Sequence, residues 1–272
     1  MKLLIKRFEE AFSKRALRIE KRYRFVASAL ILTAVMTFST FSDFGRAIFF
    51  IPLFIVLVYV FTYFSVLEGV EKIEWLMLFL MPLLVTVSFY LFYFLFPGRW
   101  LTRFPFMILY AVSIYAILLC SNIFNVGVEK SLQLYRAAFS VNFFFQTIIG
   151  FFLFNTLFSS RFAFLLNAFI VSLTVFLMAM QLIWTLRLNL RIEKEILLFA
   201  LLTASIVGQL ALVVSFIPME PAISALFLTA SYYSLSGLIF SYLDQRLFKE
   251  TVREYLTVWV VVLAISLLSL RW

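Results

Sequence analysis

The chain has 272 residues, of which 64% are apolar and 19% aromatic, with a mean hydropathy of +1.05; an ordinary soluble domain is about 45–50% apolar, and no water-soluble fold of this size has an interior large enough for the difference. Histidine is absent, which removes imidazole general bases, most catalytic zinc sites and histidine-ligated haem, and the one cysteine, Cys120, cannot form an internal disulfide. The net charge of +9 suits an anionic lipid surface, while nothing in the pattern is directed at nucleic acid and no cofactor is implied.

Residues 1–24 carry nine Lys and Arg with three Glu. Leu4, Phe8, Phe12, Ala16, Ile19 and Tyr23 recur every three or four positions, and Lys6, Arg7, Lys14, Arg18 and Lys21 occupy much of the remaining circumference. This spacing predicts a cationic amphipathic helix lying in the membrane interface and drawn to anionic lipid. A charged leader that only fixes topology accounts for the same composition. The length of the basic region, and the lack of a small-x-small site after the first apolar run, argue against a cleaved signal peptide.

Residues 25–272 read as one bundle of about nine apolar spans, at 25–42, 47–67, 75–96, 105–122, 137–158, 162–186, 196–217, 221–243 and 255–270. Each approaches the roughly 20 residues that cross a hydrocarbon core of about 30 Å as a helix, and none shows the alternating polarity of a barrel strand. The predicted fold class is therefore all-α, a polytopic integral membrane helical bundle. The Asp, Glu, Lys and Arg residues fall between the spans or at their edges, as the cost of an ionised group at mid-span requires. With the N-terminus inside, the inner side holds 18 Lys and Arg against 5 outside. That bias predicts a cytoplasmic N-terminus and an external C-terminus in a cell membrane, read as a bacterial cytoplasmic membrane.

Four groups of residues are candidates for something more specific. Glu68, Glu71 and Glu74 are three apart and could share one helical face; as a carboxylate cluster they could hold a divalent ion or exchange protons, and as a solvated turn they would do neither. The second group begins in the outer turn "FPGRWLTRF", residues 96–104. The longer stretch "FLFPGRWLTRFPF" at 94–106 aligns with "FLFNTLFSSRFAF" at 152–164, an offset of 58 residues that a parallel repeat would explain, as would chance in so phenylalanine-rich a chain. If the two hairpins are neighbours, Arg99, Arg103 and Arg161 form a cationic ring able to hold an anionic lipid headgroup; otherwise they are three separate interfacial anchors.

Amides inside the spans form the third group. Asn142, Gln146 and Gly150 lie on one face of the fifth span, Asn167, Thr174 and Gln181 on one face of the sixth, and Gln209 is central in the seventh. An unpaired amide in lipid costs several kcal/mol, so these side chains are expected to face other helices or a hydrated path. The fourth group is small residues: Ala200, Ala204 and Gly208 in the seventh span, with Ala230, Ser234, Gly237 and Ser241 in the eighth. Together they predict a tight antiparallel pair turned by Pro218 and Pro221.

The chain has no glycine-rich phosphate loop, no GxSxG and no intramembrane ionisable residue, so the sequence reads as non-enzymatic. A scaffold or subunit of an envelope complex fits best, and a transporter or flippase for a lipid or weakly polar solute is the alternative. Membrane lipids, anionic ones at the N-terminal segment, and other membrane proteins are the expected partners.

Overall fold

A computed structural model describes residues 20–41, 49–67, 75–96, 100–126, 132–188 and 192–270. Among these residues the protein is all-α, with nine helices: α1 (Lys21–Ser39), α2 (Phe50–Val66), α3 (Trp75–Tyr93), α4 (Trp100–Val126), α5 (Leu132–Ser159), α6 (Phe164–Trp184), α7 (Lys194–Val214), α8 (Pro221–Leu243) and α9 (Lys249–Leu268). They follow the nine expected spans in order, and together they make a helical bundle of the membrane type. Seven of them, α3 to α9, are long and apolar enough to cross a membrane. Helix α2 is as apolar but has 17 residues, about 26 Å of helix. Helix α1 has Lys21, Arg22 and Arg24 in its first turn. The interfacial helix expected over 1–24 lies outside the described residues apart from Glu20 to Arg24, where Lys21–Arg24 open α1.

Several helices run beyond the apolar stretches that mark them. Helix α4 starts five residues before the expected 105 and ends four after 122, α5 starts at Leu132 rather than 137, and α9 starts at Lys249 rather than 255. The reason is physical: an apolar run measures the hydrocarbon layer, while the hydrogen-bond ladder continues into the polar interface until a turn ends it.

The chain divides into two compact units, one holding residues 1–90 and 97–142, the other 91–96 and 143–272. In the first unit, α1, α2 and α4 pack on one another around Leu32, Met36, Phe54, Val58, Tyr110 and Ile114, all fully buried. Several backbone and hydroxyl groups that lipid could not solvate are paired internally, while the buried Thr62 hydroxyl has no partner among the described residues. Pro82 lies inside α3 and has no N–H, so the Leu78 carbonyl loses its partner four residues on; Ser121 of α4 donates its hydroxyl to that carbonyl at 3.2 Å. Asn125 Nδ2 donates to the carbonyl of Val66, the last residue of α2, at 3.1 Å. Ser65 Oγ meets Ser28 Oγ at 2.9 Å between α2 and α1.

In the second unit the closest helix approaches differ from the expected ones. The stripe of Ala200, Ala204 and Gly208 on α7 is buried, but it packs on α6: Ser172 Oγ donates to the Ala204 carbonyl at 3.0 Å, and a Cβ on Gly208 would lie 2.9 Å from that of Ser172. Gly237 of α8 packs on α9, where a Cβ would overlap the Tyr255 ring, and Ser234 Oγ donates to the Tyr255 carbonyl at 3.0 Å. Helices α7 and α8 do touch, but they are not the tight pair that their small residues and short turn predicted. Small side chains show that some backbone comes close, and do not say which.

The 58-residue alignment does not match equivalent structural positions. Phe94 and Phe96 lie in the turn after α3, whereas Phe152 and Phe154 are inside α5; Arg103 is in the first turn of α4, whereas Arg161 lies in the α5–α6 turn with φ of 51°. The phenylalanine match is therefore one of composition.

Candidate functional site

The densest polar contact inside the apolar helices of the second unit is built on Gln146, at the middle of α5 and fully buried. Its Nε2 donates to Gln181 Oε1 at 2.6 Å and to the Met178 carbonyl at 3.1 Å, both on α6. Its Oε1 accepts from the Tyr232 hydroxyl of α8 at 2.5 Å. Gln181 is 2% exposed and Tyr232 fully buried. Both donors and the acceptor of one carboxamide thus hold three helices together, which is the condition for an amide to be tolerated away from water. One turn further along α5, Gly150 leaves room for the side chains of Met178 and Thr229, 3.5 and 3.6 Å from the place a Cβ would occupy.

Of the six polar residues that the sequence singled out within the spans, the structure joins Gln146 and Gln181. Asn142 is buried and belongs to the first unit. Asn167 is buried at the start of α6, with Nδ2 donating to the Phe162 carbonyl at 3.3 Å and Oδ1 unpartnered; Thr174 is half-buried. Gln209 is exposed, where an amide inside a span was expected to face other helices or a hydrated path. The cause lies in helix geometry. Gly208 points at α6, and the next residue is rotated about 100° from it, onto the outer face of α7.

Tyr232 was not singled out from sequence. The available signal was a tyrosine at mid-span, since a buried phenol needs a partner. The same reasoning finds Trp259 of α9, whose indole N–H donates to Ser231 Oγ at 3.0 Å.

Of the three arginines, Arg103 and Arg161 lie among the described residues, each in a different unit. Arg103 Nη2 donates at 3.3 Å to the carbonyl of Thr40, the residue that caps α1, and its guanidinium lies 4.2 Å from the centre of the Phe41 ring. A cation there neutralises the free carbonyls at a helix C-terminus, so Arg103 ties the end of α1 to the start of α4. Arg161 is exposed in the second unit, and its left-handed backbone makes the turn after α5, with its N–H donating to the Phe158 carbonyl at 3.3 Å. Arg99 lies outside the described residues, as do Glu68, Glu71 and Glu74.

Two arginines in the turns between helices pair with nearby carboxylates. Arg187 bonds both Glu193 and Glu195, the latter at 3.0 Å, and Arg246 meets Asp244 at 3.3 Å. At these exposures such pairs contribute at most about 1 kcal/mol each. Among the described residues no three His, Cys, Asp or Glu side chains come together as a metal site would require.

A multi-pass helical membrane bundle with internally paired amides is the class that this architecture defines. Residues 68–269 match the model of the family described as Protein of unknown function (DUF5656), which covers about three quarters of the chain, and the protein belongs to that family. The matched region encloses α3 to α9, the seven helices able to cross a membrane, and leaves α1 and α2 ahead of it. No curated protein and no solved structure matches the chain.

Proposed function

We propose that the protein is a non-catalytic membrane module, a scaffold or subunit of an envelope complex in a bacterial cytoplasmic membrane. The observation that carries this reading is the Gln146 contact. Amides lining a polar substrate path would keep groups free for water or cargo, whereas both Nε2 hydrogens of Gln146 are given to α6 and its Oε1 accepts from α8. The alternative, a transporter or flippase for a lipid or weakly polar solute, drew on a ring of three arginines and on the amide stripe; the bond from Arg103 to the end of α1 gives that arginine an anchoring role instead.

The proposed orientation keeps the N-terminus and the loop at 68–74 inside and the C-terminus outside. If α1 and α2 both cross, or neither does, residues 68–74 stay on the side of the N-terminus and the seven family helices then carry the chain across. The cationic N-terminal segment then faces the inner leaflet and its anionic lipids.

Reconstitution tests the functional reading. Purified protein, alone in liposomes containing a fluorophore-tagged anionic phospholipid, is expected to leave tag quenching by external dithionite as slow as in protein-free liposomes. Accelerated quenching beyond half of the tag would overturn the scaffold reading in favour of the flippase. For orientation, single cysteines at Thr102 and Ser160 in a Cys120→Ser background are expected to react with an impermeant maleimide in intact cells. Reaction only after the membrane is opened, together with external labelling of a cysteine in the N-terminal segment, would reverse the topology.

A further inference from the structure

We infer that α7 is the seam of a homodimer, with Gln209 of one copy hydrogen-bonded to Gln209 of the other. Gln209 lies close to the midpoint of the apolar stretch between Glu195 and Glu220, and it is exposed. An outward amide at that depth faces hydrocarbon unless another protein surface covers it, and hydrocarbon offers it no partner.

The residues around it specify what kind of surface that is. Leu198, Leu202, Ser205, Gln209, Leu212 and Phe216 are spaced 4-3-4-3-4, the a and d positions of a heptad. Five of these six are exposed and Leu212 is partly so. The five within α7, Leu198 to Leu212, form one stripe at the centre of its outward face, with Phe216 in the turn just past the helix end, Leu197 along one edge and Ile206 along the other. A heptad seam with one polar residue among apolar ones packs against another helix and takes its register from the polar position. Ser205, one turn from Gln209, is small enough to let the two backbones approach.

The occupant follows from symmetry. Every copy is inserted with the same topology, so two copies meeting on this face do so about a two-fold axis along the membrane normal, with their α7 helices parallel. Residue 209 of each then stands opposite residue 209 of the other at the same depth. A carboxamide carries both donor and acceptor and so complements itself. A different protein would have to place a matching amide at that depth, whereas a second copy does so by construction. The small-residue face of α7 is already occupied by α6, which leaves the Gln209 face for assembly. This inference does not depend on the scaffold reading.

Cysteine cross-linking of the full chain in native membranes tests it. In a Cys120→Ser background, single cysteines at Ser205 and Gln209 are expected to give an oxidant-induced product of twice the 31.8 kDa chain mass, with edge positions Leu197 and Ile206 at least about fivefold less efficient. With Ser205→Cys as the reporter, adding Gln209→Leu is expected to lower the yield by up to about tenfold, and Gln209→Asn to restore much of it. Equal yields at stripe and edge positions would mean random collision and overturn the seam. A product whose mass is not that of two chains would replace the second copy with a different partner. A Gln209→Leu variant that is monodisperse and cross-links as well as its parent would remove the amide pair.

Discussion

Gln146 and Gln209 are the same side chain, each well inside an apolar helix of the same unit, and their surroundings are opposite. Gln146 is fully buried and contacts α6 and α8 through three hydrogen bonds; Gln209 faces outward from α7. In water the contrast would be unremarkable, since an exposed amide is solvated. In a bilayer it is informative, because exposure there is to hydrocarbon. The first amide therefore reports on how the protomer holds itself together, and the second on what the protomer lacks.

The strongest way to break the comparison is to remove the inner amide. Gln146→Leu keeps the volume but leaves the Tyr232 hydroxyl and Gln181 Oε1 without this partner in a site closed to water. We expect a loss of about 2–3 kcal/mol of protomer stability, read as a lower thermal midpoint in detergent. An unchanged midpoint would mean that the three helices are held by apolar packing alone and that the amide contact is incidental.

How much of this could be read from the sequence depends on the range of the interaction. The membrane class and the order of the nine helices are legible because an apolar run is a local signal, sufficient in itself to set the solvent of a segment. The ends of α4, α5 and α9 are not, because helicity outlasts apolarity. That Gln146 and Gln181 need partners follows from their chemistry, but that they partner each other, with Tyr232 closing the set, depends on packing between residues 86 positions apart in the case of Tyr232 and Gln146. Arg103 shows the limit more sharply. Its partner is the backbone carbonyl of Thr40, which no side-chain pattern can announce. The small-residue stripes identified the faces that are closely approached and misassigned the neighbours, since the turn at Pro218 and Pro221 suggested a pairing that the α6–α7 and α8–α9 contacts supersede.

The adjacent residues Gly208 and Gln209 give the finest test, because one step along α7 separates a position that belongs to the protomer from one that faces away from it. Gly208→Ala adds a Cβ 2.9 Å from the Ser172 Cβ and 3.1 Å from its Oγ. The α6–α7 contact must open or the Ser172 bond to Ala204 must break. Alanine recovers up to about 1 kcal/mol of helix propensity, while overpacking costs about 1–3 kcal/mol, so the net expectation is a destabilisation of about 1 kcal/mol with a lower thermal midpoint. Gln209→Leu has the opposite profile. It breaks no side-chain hydrogen bond among the described residues and exchanges an amide for an apolar side chain on a lipid-facing surface, so protomer stability is expected to hold or to rise slightly. Measuring both variants at a detergent excess that keeps the protein monomeric separates these effects from assembly. A Gln209→Leu variant less stable than Gly208→Ala under those conditions would show that Gln209 has a partner inside its own chain, and the contrast with Gln146 would then be one of partner identity alone.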